Sequence, residues 1–229
     1  GWAYSGSLAW RAWKQAVSAD TVVILGGHLP AASPFVVARN DAYESPLGII
    51  EANKELMAQL DARLNTVDEL WVDNTVEVHL PMLKARFPHA QALWTRVPND
   101  ASSASLGLEL AAWAQTSGTK LFVLASTDLC HYGPNYEWEP AGSGSTGRAW
   151  AAATDRQMAD ACTALDAPTA LRLAEQKRAA CSVGAVVAAM AYVKAMTGGK
   201  AQGRLLGLSS SLEHAQGSSF VGYGAIGYY

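Results

Sequence analysis

The stretch Lys120-Leu-Phe-Val-Leu-Ala125-Ser126-Thr127-Asp128-Leu129-Cys130-His131-Tyr132-Gly133 decides the fold class of this chain. The run that ends at Ala125 is mostly apolar, which is typical of a buried strand. A carboxylate and an imidazole, Asp128 and His131, follow it directly, and a Gly-Pro turn comes next. Because α/β proteins keep their functional sites at the carboxyl ends of parallel strands, we predict a site at this strand end.

Helical and strand-like segments alternate along nearly the whole sequence. This order predicts an α/β fold with a mostly parallel or mixed central sheet flanked by helices on both faces. The pattern predicts one domain over residues 1–229, with a flexible Gly/Ser surface loop at 139–148. Helices are expected at 8–17, 53–64, 106–115, 148–165, 168–179 and 182–196 and from Asn74, and strands at 21–25, 69–72, 92–97, 120–125, 204–208 and 219–226.

Composition excludes several classes of function. Half of the 229 residues are hydrophobic and 16% are charged, which suffices for a packed core. The net charge of −3, with scattered Lys and Arg, predicts no nucleic-acid partner. No apolar run approaches the ~18 residues of a membrane helix, so we expect no membrane partner. Three cysteines are too few for a disulfide framework and predict a reducing compartment, the cytoplasm.

Two further segments carry residues that can join Asp128 and His131. His28 ends a strand after Gly26-Gly27, where a ligand can approach the backbone closely. Cys181 precedes a long apolar helix, whose dipole favours a thiolate. Alternatively, Asp128 caps a turn, His131 bonds to the backbone, and Cys181 is a small buried apolar side chain. A thiolate with imidazole suits copper or zinc, whereas His28, His131 and Asp128 together would suit iron.

Taken in order, the motifs resemble those of the Memo family, also called AmmeMemoRadiSam system protein B. The resemblance covers nearly all of the chain. The motifs are Gly1-Trp-Ala-Tyr-Ser-Gly6, Val23-Ile-Leu-Gly-Gly-His28, Tyr43-Glu-Ser-Pro-Leu-Gly48, Val76-Glu-Val-His-Leu-Pro81, Ser126 to Gly133, Cys181-Ser-Val-Gly184 and Ser218-Ser-Phe-Val-Gly-Tyr223.

This resemblance implies the fold of class III extradiol dioxygenases and a metal-capable pocket. It implies that His28 and Cys181 are metal ligands and that Asp128 and His131 are the acid/base or substrate-contacting pair. The family's first ligand histidine belongs to a Pro-His-Ala motif that precedes the Gly-Tyr. Since this sequence begins at Gly1, we expect either that an N-terminal part of the family domain is missing or that this relative lacks that ligand.

The function expected from these residues is a metal-dependent, dioxygenase-related oxidoreductase that acts on a small molecule or peptide. Its cofactor would be copper, iron or zinc. The alternative is a non-catalytic module that binds a small-molecule or peptide ligand and has a degenerate site without metal. Trp2, Trp138 and Trp150 would suit such a module if they lie on loops beside a cleft.

Overall fold

A computed structural model describes all residues from Gly1 to Tyr229. The helices are α1 (Trp2–Trp13), α2 (Lys54–Arg63), α3 (Asn74–Glu77), α4 (Leu80–Arg86), α5 (Ala104–Ser117), α6 (Gly144–Thr163), α7 (Ala167–Lys177) and α8 (Val183–Thr197). The strands are β1 (Thr21–Leu29), β2 (Phe35–Val37), β3 (Ala42–Ser45), β4 (Gly48–Glu51), β5 (Thr66–Asp68), β6 (Gln91–Pro98), β7 (Leu121–Ala125), β8 (His131–Tyr132), β9 (Gly203–Ser210) and β10 (Phe220–Tyr228).

The chain divides into two compact units. Unit 1 contains Gly1–Ala12, Asp128–Cys181 and Gln202–Tyr229, and unit 2 contains Trp13–Thr127 and Ser182–Ala201. That residues 1–229 form one domain stays a prediction.

Unit 2 contains a five-stranded sheet in the order β5-β2-β6-β1-β7. Strand β1 pairs in parallel with both β6 and β7, and β2 pairs in parallel with β5. Only the β2–β6 pair is antiparallel. The sheet is therefore mixed and mostly parallel, as the alternation of elements predicts.

Two consecutive glycines show that helices cover both faces of this sheet. A Cβ atom on Gly26 would lie 2.5 Å from the Thr75 side chain in α3, whereas one on Gly27 would lie 2.0 Å from the side chain of Ser182, which precedes α8. Successive strand residues point to opposite faces, so α3 and the start of α8 lie on opposite sides of β1. Both positions need glycine because the helices approach the strand so closely.

Unit 1 is built on a three-stranded antiparallel sheet in the order β8-β10-β9. On one face, Val221, Tyr223 and Ala225 of β10 form a core cluster with Leu8 of α1. On the other face, a Cβ atom on Gly222 would collide with Asp155 of α6. Helices therefore flank this sheet on both sides as well.

The structure confirms the expected α/β class and corrects several boundaries. The strand predicted at 69–72 is wrong, because β5 ends at Asp68. The helix expected from Asn74 is short: Asp73 is its N-cap, and it ends at Glu77. A second helix, α4, then begins at Leu80 with Pro81 in its first turn. The Gly/Ser loop is shorter than predicted because α6 already begins at Gly144. None of the helices combines the length and apolar character needed to cross a membrane.

His79 is a buried histidine in unit 2, 8% exposed. Its Nδ1 accepts the Trp13 Nε1–H at 3.3 Å, and because the indole N–H is only a donor, the proton of the neutral ring lies on Nε2. Nε2 then donates to Ser126 Oγ at 3.0 Å. Burial lowers the pKa of His79 from 6.5 to about 4, so the ring is neutral at physiological pH.

We predict that this ring makes stability depend on pH. Between pH 6.5 and about 4, His79 is protonated in the unfolded chain but neutral in the folded one. The free energy of unfolding should therefore fall as the pH falls through this window, by up to about 1.4 kcal/mol per pH unit. Urea unfolding across the window measures the slope. His79→Gln should flatten it and the exposed His89→Gln should not, whereas equal slopes in wild type and His79→Gln would contradict the prediction.

Candidate metal centre

Asp128 and Cys181 are joined by two reciprocal hydrogen bonds within unit 1. The Cys181 N–H donates to the Asp128 carbonyl oxygen at 3.3 Å. The Asp128 N–H donates to Cys181 Sγ, also at 3.3 Å. These bonds align two segments that are 53 residues apart in sequence. The N–H donor also fixes the position of the Cys181 sulfur.

His131 lies on β8 and is held by β10 and by an aromatic neighbour. Its backbone pairs with Val221 in the antiparallel ladder. Its ring centroid lies 4.9 Å from that of Tyr136, and its Nε2 lies 3.3 Å from Asp128 Oδ2. The structure therefore places the two side chains next to each other, and their joint acid/base role stays a prediction. The segment between them is not helical, however, so the loop and strand bring the side chains together rather than helical spacing.

The donor atoms of Asp128, His131 and Cys181 all lie within 4.8 Å of one another. They offer one carboxylate oxygen, one imidazole nitrogen and one sulfur, a set that suits zinc, copper or iron better than magnesium or calcium. Both side chains of the Asp–His pair are partly exposed, at 42% and 33%, so an ion can reach them. The residues present therefore fit a transition-metal ion.

A cavity of about 220 Å³ lies beside His131 in unit 1. Its lining contains three tyrosines and three smaller polar residues, and one wall is Tyr136, which contacts the His131 ring. Burial and the nearby charge of Asp128 raise the pKa of Tyr223 to about 12, so its phenol stays protonated. These residues are Tyr4, Tyr136, Tyr223, Ser211, Ser219 and Gln216.

His28 lies in unit 2, where its exposed ring contacts a buried group of charged residues. Its backbone has a positive φ of 61°, which is uncommon outside glycine. Its Nδ1 lies 3.2 Å from Asp73 Oδ2, and this carboxylate also receives Arg96. Burial acts to raise the pKa of Asp73, but hydrogen bonds from Thr75 and His28 outweigh it and hold that pKa below its ordinary value. The role of His28 as a metal ligand stays a prediction.

The tryptophans proposed for ligand binding do not line this cavity. Trp2 and Trp150 lie in helices rather than loops. Trp138 and Trp150 pack around Tyr132 in a core cluster, and Arg178 stacks on Trp138 at 4.4 Å. The aromatic walls are three tyrosines and Phe220 instead, of which Tyr4, Phe220 and Tyr223 belong to motifs visible in the sequence.

Together, the fold and the site define an α/β protein with a candidate transition-metal centre. An uncharacterized protein from Escherichia coli K12, JW3007, has a similar structure, with a TM-score of 0.59 and 12% identity over 93% of this chain and 90% of that chain. At this identity the likeness shows the fold alone.

Sequence comparisons identify the family. The Memo-like protein model matches residues 1–227. A MEMO1 family protein of Methanosarcina barkeri is 30% identical over 99% of this chain and 82% of the relative. One from Methanopyrus kandleri is 28% identical over 99% of this chain and 79% of the relative. The chain therefore belongs to the Memo-like protein family, as its ordered motifs indicate.

The three thiols should differ sharply in reactivity. Burial raises the pKa of both Cys130 and Cys162 to about 12, with the charge of Asp155 adding to the effect at Cys130. Cys181 is only half-buried and receives an N–H bond. We predict that iodoacetamide alkylates Cys181 first in the folded protein, as measured by peptide mass spectrometry. Cys181→Ser should remove the fast phase, and fast labelling of Cys130 or Cys162 would refute this assignment.

Proposed function

We propose that this chain is a metal-dependent oxidoreductase, related to dioxygenases, that acts on a small molecule or peptide. The grouping of Asp128, His131 and Cys181 donor atoms within 4.8 Å carries this proposal. A bound copper, iron or zinc ion would supply Lewis-acid or redox chemistry toward the ligand. We also propose that residues 1–229 form one Memo-like α/β domain, since the family model matches nearly the whole chain.

His131 would hold and transfer the proton in this reaction when its ring is not bound to the metal. When its Nε2–H donates to Asp128, the lone pair of the ring lies on Nδ1. Asp128 thereby orients the ring and stabilises its positive charge when the ring is protonated. Imidazole is the side chain most often used to accept and release a proton near neutral pH.

Cys181 would bind as a thiolate, which is the metal-binding form of cysteine. Its sulfur is fixed by the Asp128 N–H and so points toward the Asp–His pair. Thiolate together with imidazole favours copper or zinc over the hard cations.

The cavity beside His131 would receive the ligand. Ser211 Oγ accepts the Val221 N–H and Ser219 Oγ accepts the Asn135 N–H, so each hydroxyl hydrogen can turn toward a ligand oxygen. The three tyrosine rings would hold apolar or aromatic parts of the ligand. This cavity equally suits the second candidate function, a non-catalytic module for the same ligands.

Metal content separates the two candidates. After reconstitution with Cu⁺, Fe²⁺ or Zn²⁺, the wild type should hold about one ion per chain, and Asp128→Asn, His131→Ala and Cys181→Ala should each weaken binding at least about tenfold. The controls are Asp160→Asn and His89→Ala, which change exposed residues and should have no effect. A matching loss in His28→Ala would support the family-implied ligand role of that residue.

Two results would contradict the enzyme proposal. One is a folded wild-type protein that takes up no metal after reconstitution, which would leave the binding module as the function. The other is metal binding that survives in all three site variants, which would place the metal elsewhere.

A further inference from the structure

A buried carboxyl group lies directly beneath the candidate metal centre. Asp155 is 8% exposed and lies in the apolar stripe of α6, with Ala151 and Ala159 one turn away on either side. An apolar residue would fill such a position without any desolvation cost. Burial raises the pKa of Asp155 to about 7, against the opposing effects of the Cys130 N–H and the charge of His131. A carboxyl group that is this costly to bury is expected to make a compensating interaction.

The contacts of Asp155 include such an interaction. Its Oδ1 accepts the Cys130 N–H at 2.9 Å. Cys130 stands between Leu129 and His131 in the loop that carries the candidate ligands. The Leu129 N–H donates to the Gly222 carbonyl at 2.9 Å, and the Gly222 N–H donates to the Cys130 carbonyl at 3.0 Å. Asp155 is the side chain that satisfies the remaining backbone donor of this irregular segment.

Gly222 makes room for this carboxyl group. A Cβ atom there would lie 1.9 Å from Asp155 Oδ2 and 2.5 Å from its Cγ. Strand β10 therefore has no side chain at the position where Asp155 reaches the loop. The carboxyl group of Asp155 therefore fits at this place only because residue 222 has no Cβ atom.

We propose that Asp155 is a positioning residue that holds the Asp128–His131 loop, through the Cys130 N–H, in the geometry that binds metal. This inference rests on the proposed metal-dependent function. Asp155 is not itself a ligand in this arrangement. It acts by limiting the movement of a loop whose side chains must stay within a few ångströms of one another.

The test is a Co²⁺ titration of the full chain, followed by its thiolate-to-cobalt absorption. Asp155→Ala should raise the Kd by about 10- to 100-fold, the range seen when groups supporting metal ligands are removed. Asp155→Asn retains the acceptor for the Cys130 N–H and should restore affinity and spectrum. Asp160→Ala, an exposed change on the same helix, is the matched control. A folded Asp155→Ala protein with wild-type affinity and spectrum would overturn the proposal.

Gly222→Ala gives an independent check. It should displace the carboxyl group and weaken Co²⁺ binding as Asp155→Ala does. In the Asp155→Ala background it should add little, because the colliding atoms are gone. Additive effects of the two changes would contradict the shared arrangement.

A metal-free measurement distinguishes failure of this proposal from failure of the proposed function. Amide hydrogen exchange at Cys130 should accelerate in Asp155→Ala but not in Asp160→Ala. If the wild type binds no metal, the proposed function fails, and acceleration at Cys130 still supports the positioning role. Unchanged exchange at Cys130 would overturn that role in either case.

Discussion

The reciprocal bonds between Asp128 and Cys181 are the constraint on which the candidate site depends. Each residue donates its N–H to the other, one to a carbonyl and one to a sulfur. Bringing together two residues that are 53 positions apart in sequence costs conformational entropy, and two hydrogen bonds alone do not offset that cost. The closure is supported by the packing of α6 against β9 and β10, and by the ladder bonds that tie the loop to Gly222.

Three buried polar side chains of this protein hold irregular backbone in place. Asp155 satisfies the Cys130 N–H in unit 1. In unit 2, His79 links Trp13 to Ser126, the residue that follows β7. Asp73 likewise caps α3 and orients His28. In each case the side chain fixes a segment next to a strand end, where the regular ladder no longer supplies hydrogen bonds.

The sequence predicts the strands of this fold better than the partners of its site. The apolar runs at β1 and β6 are visible because burial on both faces favours hydrophobic residues. The run at β7 is equally apolar, although this edge strand is only partly buried. The proximity of Asp128 and His131 is also predictable from their position directly after a strand, although the loop and β8 rather than a helical turn bring them together. Asp155 is not, since a charged residue in a helix ordinarily indicates a solvated face, and only Gly222 on a distant strand reveals the space it occupies. The strand predicted at 69–72 is wrong because three consecutive apolar residues have the pattern of a buried strand but are exposed in the structure.

The charges at the site explain why a cation would suit it. A carboxylate and a thiolate whose donor atoms lie within 4.8 Å of each other repel, and His131 offsets that repulsion only when it is protonated. A divalent metal ion would offset both negative charges and leave the imidazole neutral as a ligand or proton acceptor. Without metal, the same repulsion would favour opening of the loop that carries Asp128 and His131. Asp155 would oppose this opening through its bond to the Cys130 N–H.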